Sequence, residues 1–107
     1  MQCDYFDTHR CRSCTLMGTA YSDQLATKAA RCLDTLGAEA RWEVPFASRP
    51  EGFRNKAKLV IGGTREEPTV GILDRGGHGV DLRHCGLYEP GLAEVVRQVP
   101  SLITELG

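Results

Sequence analysis

Three of the chain's five cysteines fall within its first 14 residues, spaced Cys3-x7-Cys11-x2-Cys14, and Cys85 stands alone with 70 residues between it and Cys14. Four thiolates suit a tetrahedral zinc or an iron–sulfur cluster. The N-terminal segment has little apolar periodicity, so burial is a poor means of ordering it. A metal centre would order it, because ligand-binding energy becomes folding energy. Zinc ribbons and fingers usually offer two close ligand pairs, and here Cys11 and Cys14 form the only one. The three-plus-one pattern is more natural for a cubane, although ligand type alone leaves zinc and iron–sulfur open. His9, His78 and His84 rank below the cysteines as alternative ligands. Scattered core thiols are the plain alternative, and three thiols on one polar segment argue against it. Cys32 differs: it lies on the apolar stripe of a helix and reads as a core residue.

A second group concerns charge. Arg54, Lys56 and Lys58 alternate with Phe53, Asn55, Ala57, Leu59 and Ile61, which predicts a strand over 54–61 with one basic face. Taken alone, such a face is the solvated side of an edge strand, where lysines guard against mispairing. Phe53 is expected to pack in the core rather than stack on a base. Residues 41–58 carry net charge +3, between flanks of −1 and −3. The total of −1 excludes a chain held on nucleic acid by bulk charge, yet it hides a basic centre.

The elements that must position these residues follow from periodicity. Leu25, Ala29, Cys32, Leu33 and Leu36 share one face of a helix over about 22–36, with Ser22 as N-cap and Gly37 as its stop. Thr69 to Leu73 and Val80 to Leu82 read as short strands. The run Asp74-Arg75-Gly76-Gly77-His78-Gly79 between them is a hairpin turn, not a phosphate-binding loop. Leu92, Val95, Val96, Val99, Leu102, Ile103 and Leu106 mark an amphipathic helix over about 90–106 that should cover the small sheet. Pro100 either kinks this helix or starts a second one. The expected class is α+β: a small antiparallel sheet, a metal-bound N-terminal segment and two helices.

With 107 residues, 41% of them apolar and 25% charged, the chain is expected to form one globular domain rather than a disordered tail. No apolar run approaches the ~18 residues of a membrane span. The start, Met1-Gln2-Cys3-Asp4, lacks the marks of a secretory signal, so a cytoplasmic location is expected. Disulfides are rare there, which again favours a metal site. A complete doubly wound cofactor enzyme does not fit in this length.

The start Met-Gln-Cys-Asp-Tyr-Phe-Asp with Arg10-Cys11-Arg12-Ser13-Cys14 resembles the N-terminus of bacterial 23S rRNA uracil-5 methyltransferases. The block Gly52-Phe53-Arg54-Asn55-Lys56-Ala57-Lys58 is similar to that family's Phe/Tyr-Arg-Asn-Lys segment. Asp81-Leu82-Arg83-His84-Cys85-Gly86-Leu87-Tyr88 is similar to the region of its fourth cluster cysteine, with Gly86 where the family often has proline. The resemblance implies a 4Fe-4S cluster on Cys3, Cys11, Cys14 and Cys85. It also implies rRNA contact by Arg54, Lys56 and Lys58, with no DNA or membrane partner. The family transfers a methyl group from S-adenosylmethionine to C5 of a flipped-out uracil, after thiolate attack at C6. Its methyl-donor domain, nucleophile and base lie beyond position 107 in the family. The expectation is therefore a single cluster-bearing, RNA-contacting segment over 1–107, contributing to rRNA processing and catalytically incomplete alone. A stand-alone zinc-stabilised binding module and a small electron-transfer protein are the alternatives.

Overall fold

The computed structural model describes all 107 residues. A single turn α1 (Asp4–Asp7) precedes the helix α2 (Tyr21–Leu36), three strands β1 (Val60–Gly63), β2 (Pro68–Leu73) and β3 (Gly79–Asp81), and the helix α3 (Pro90–Leu106). The strands form an antiparallel sheet in the order β1-β2-β3. Ile61 pairs with Val70, and Ile72 with Val80. The class is α+β, as the periodicity predicts.

The hairpin between β2 and β3 forms because Asp74 closes it. Its carboxylate accepts the backbone N–H groups of Gly76 (2.8 Å) and His78 (2.9 Å). Gly77 occupies the left-handed region at φ 81°, where a side chain would be strained. These bonds hold the Asp74 carboxyl below the usual carboxylate range, the His78 N–H contributing most.

The core lies where α3 crosses β2. Val70, Tyr88 and Val96 are buried together, with Leu59, Leu92, Val99 and Ile103 packed around them. On α3, Leu92, Val96, Val99 and Ile103 follow 4-3-4 spacing and form the inward line. The predicted stripe is wider than the surface it meets: Val95, Leu102 and Leu106 stay exposed, Leu106 at 77%. Three short strands offer too narrow a face to cover all seven residues.

Pro100 neither ends nor divides α3; it is buried within one continuous helix. A proline there lacks the N–H of one helical bond. The Thr104 hydroxyl braces the following turn, its one hydrogen shared between the carbonyls of Arg65 (2.8 Å), 39 positions away, and Pro100 (3.1 Å).

Two expectations need correcting. First, the strand predicted from Arg54 starts only at Val60. Residues 54–59 lack ladder bonds except at Arg54, which bridges to Tyr88 in parallel. The alternation survives in part, with Ala57 and Leu59 packed against the core. Phe53 and Ile61, predicted to face inward with them, are exposed, so Phe53 is not a core residue.

Second, α2 is amphipathic but buries nothing. None of its residues is buried, and it packs against no other helix or strand. Cys32 is therefore exposed rather than core, and Leu36 is 71% exposed. Along the stripe Leu25 and Ala29 are half-buried, whereas Cys32, Leu33 and Leu36 stay exposed. Ser22 is not the N-cap either; Ala20 takes that position without a side-chain bond. The molecule is accordingly elongated, 57 × 29 × 23 Å. Its radius of gyration is 17.7 Å, against about 13 Å for a compact domain of 100 residues. No helix is long and apolar enough to cross a membrane.

Candidate metal centre and basic segment

The loop after β3 sets the position of Cys85. Asp81 and Arg83 make a two-bond ion pair, Nε to Oδ2 at 2.8 Å and Nη2 to Oδ1 at 3.1 Å. Asp81 also accepts the Val70 N–H at 3.0 Å. Burial alone would raise its pKa, but the bonds from Arg83 and Val70 outweigh it and hold the carboxyl below its usual range. The turn so fixed lets the Cys85 N–H reach the Leu82 carbonyl and presents Cys85 at the edge of the core.

The N-terminal segment meets this loop across the fold. Cys3 precedes α1, and its carbonyl accepts the N–H groups of Phe6 and Asp7 at 3.1 Å each. This turn brings the Tyr5 hydroxyl to the His84 backbone N–H, at 3.1 Å. Tyr5 also organises the next cysteine, since its carbonyl accepts the Arg10 and Cys11 N–H groups at 2.9 and 3.0 Å. Arg12 closes over the Phe6 ring, 3.8 Å from its centre. Met1 lies over Gly86; a Cβ there would stand 3.1 Å from the Met1 sulfur. The residue where the family often has proline is thus part of the N-terminal docking surface.

All four predicted cysteines are half-buried and free of disulfides. They share one neighbourhood. Burial, then the charges of Cys85, Cys11 and Cys3, push the Cys14 thiol up. Burial also pushes the Cys85 thiol up; the Leu87 backbone N–H and the charge of Arg54 pull it back, while Cys3 and Cys11 raise it. Tyr88, buried beside Cys85, is pushed up to about 12, chiefly by burial. No group of three or more His, Cys, Asp or Glu side chains is gathered tightly enough to hold a single metal ion as it stands. Four cysteines are a donor set that a zinc ion or an iron–sulfur cluster takes.

The histidines are elsewhere in role. His9 is exposed with φ 62°, His78 lies 3.4 Å from Asp74 in the hairpin, and His84 engages Tyr5 through its backbone.

Arg54, Lys56 and Lys58 are all exposed. They do not share a strand face, but Arg54 is firmly placed. Its N–H donates to the Leu87 carbonyl (2.8 Å), its carbonyl accepts the Glu89 N–H (3.0 Å), and Gly52 donates to the Gly86 carbonyl (2.9 Å). This seam lays the basic segment directly along the Cys85 loop. Neither Tyr5 nor the seam was singled out by sequence reasoning. Pairing over more than 30 positions leaves no local pattern to read.

Over its whole length the chain is similar to curated proteins much longer than itself. It is 40% identical over 108 residues to the 23S rRNA (uracil(747)-C(5))-methyltransferase RlmC of Halothiobacillus neapolitanus, covering 100% of this chain and 28% of that protein. The proteins of the same name from Salmonella arizonae and Enterobacter sp. are 39% and 38% identical over 110 and 109 residues, again covering all of this chain and 29% of each. The chain therefore spans less than a third of these relatives. No family model and no solved structure matches it. From end to end, the chain resembles a segment of the 23S rRNA (uracil-5)-methyltransferases.

Proposed function

We propose that this chain is the cluster-bearing, rRNA-contacting segment of a 23S rRNA uracil-5 methyltransferase. Cys3, Cys11, Cys14 and Cys85 hold a 4Fe-4S cluster, whose chemistry here is structural. It ties the N-terminal segment to the sheet and so sets the place of the basic segment beside it. Arg54, Lys56 and Lys58 contact phosphates and orient the RNA. The methyl transfer itself belongs to the remainder of such an enzyme, and this segment supplies substrate contact and support.

What supports this reading is the Tyr5 hydroxyl accepting the His84 backbone N–H at 3.1 Å, which docks the segment carrying Cys3, Cys11 and Cys14 on the loop carrying Cys85. The whole-length similarity to RlmC proteins supports the RNA side. Anaerobic purification tests the cluster. A brown protein with about four irons per chain and broad absorption near ~400 nm is expected. A colourless protein with one zinc would replace this reading with a zinc-stabilised binding module. For RNA, Lys56→Ala and Lys58→Ala should each weaken binding and lower the log–log salt slope by about 0.7–0.9. An unchanged slope removes the basic segment from the interface.

A further inference from the structure

Beside the cysteine site lies a cleft of about 670 Å³ that the reading above does not use. Its size falls within the ~300–1,000 Å³ of small-molecule sites. Residues 13–20, α2 and the segment 48–53 form its main walls, with Met1 and Leu87 at the border, and hydrogen bonds tie the walls to α2. Gln24 of α2 donates its side-chain amide to the carbonyls of Leu16 (3.0 Å) and Thr19 (2.8 Å), fixing one wall. The Tyr21 hydroxyl accepts the Ser48 N–H at 3.0 Å, fixing the opposite segment to the same helix. Phe53 completes the lining, the residue being 45% exposed.

The lining is selective in charge. Sixteen residues border the cleft and none is acidic, although the chain carries 14 acidic residues. Lys28 is the one charged side chain among them, and Cys14 borders the same space. Phe53 immediately precedes Arg54, so the cleft opens where the basic segment begins. An exposed phenylalanine, apolar side chains, small hydroxyl side chains and a lysine in no ion pair are the groups that a base and its phosphate need. An acidic or purely apolar peptide would use the ring or the lysine, but not the run of small polar groups between them.

We propose that this cleft takes an unstacked nucleotide of single-stranded RNA, its base against Phe53 and its phosphate toward Lys28. The inference rests on the RNA-contacting reading and adds a position to it. The basic segment tracks the backbone, and the cleft receives one base.

The test uses the anaerobically purified chain with a fluorescent single-stranded oligoribonucleotide of about 12 nucleotides, and with the same sequence as a blunt duplex. The single strand should bind more tightly than the duplex. Phe53→Ala should weaken single-strand binding about ten-fold, within the range for loss of one base–aromatic stack, and leave duplex binding unchanged. Phe53→Tyr should retain the original affinity. Lys28→Gln should lower the single-strand salt slope by about 0.7. If Phe53→Ala melts early, Phe53→Leu keeps the bulk, removes only the aromatic face, and carries the same expectation. Single-strand binding that responds to Lys56→Ala but not to Phe53→Ala or Phe53→Leu overturns the cleft and spares the basic segment. Failure of the unaltered chain to bind either RNA overturns the RNA reading itself.

Discussion

Replacing both Cys11 and Cys14 by serine isolates the structural role proposed for the cluster. These two positions are the right ones because Cys85 also packs against Val70, Tyr88 and Val96. Its substitution would mix loss of metal with loss of core. No residue of 1–20 is buried. The segment is held to the sheet side by the Tyr5–His84 bond and the seat of Met1 over Gly86. One hydrogen bond is worth about 0.5–1.5 kcal/mol net. Ordering 20 residues costs on the order of 1 kcal/mol each in backbone entropy. Those are few contacts to the sheet side for a segment of 20 residues. A covalent tie between Cys14 and Cys85 closes a loop with 70 residues inside it. By the cross-link entropy relation such a tie is worth about 4 kcal/mol, and ligation adds to that. The double variant should lose its iron. Hydrogen exchange by mass spectrometry should then show residues 1–20 unprotected, while β2 and α3 keep their protection, since their core contains none of the first 20 residues. A double variant without iron whose segment 1–20 exchanges as slowly as before would refute the structural role.

Other expectations follow from single contacts. Val96, 3% exposed at the centre of the core, should cost about 2 kcal/mol as Val96→Ala, read by chemical denaturation. The Thr69 hydroxyl is buried without a partner, so Thr69→Val should raise the melting temperature by about 4–8 °C, the shift for about 1 kcal/mol in a domain this small. Asp81 is held below the usual carboxylate range by Arg83 and the Val70 N–H, against burial. Its contribution is present above the unfolded carboxyl pKa of about 3.9 and fades as pH falls through the depressed folded value. Acid titration of the melting temperature should flatten at the low-pH end in Asp81→Asn.

The parts legible in the sequence were those set by local rules. The hairpin at Asp74–Gly79 and the two long helices announced themselves through turn chemistry and 3.6-residue spacing. Their surroundings did not. The stripe on α2 marks a face suited to burial, but whether anything covers it depends on surfaces a periodicity cannot see. That is why Cys32 looked like core and is exposed. Residues 54–59 alternate as a strand should, yet a strand needs a partner at the right register, and Arg54 alone finds one. The four cysteines were picked out by residue type and polarity of context. Their approach to one another depends on Tyr5 reaching His84, 79 positions away.

The seam between residues 52–54 and 86–89 explains why the chemistry collects at one end of the molecule. It binds the segment carrying Phe53, Arg54 and the two lysines to the loop carrying Cys85 through three backbone bonds of 2.8–3.0 Å. Side-chain substitution leaves such bonds in place, so the juxtaposition is a property of the backbone. The Tyr5–His84 bond docks the N-terminal segment on the Cys85 loop, and Cys14 and Phe53 border the same cleft. The proposed cluster would fix, at once, the N-terminal segment, one wall of the cleft and the start of the basic segment. Loss of the cluster should accordingly remove the cleft's response to Phe53→Ala while leaving the salt dependence due to Lys56 and Lys58 intact. The two proposed RNA contacts share a seam, but only the cleft is bordered by one of the four cysteines, Cys14.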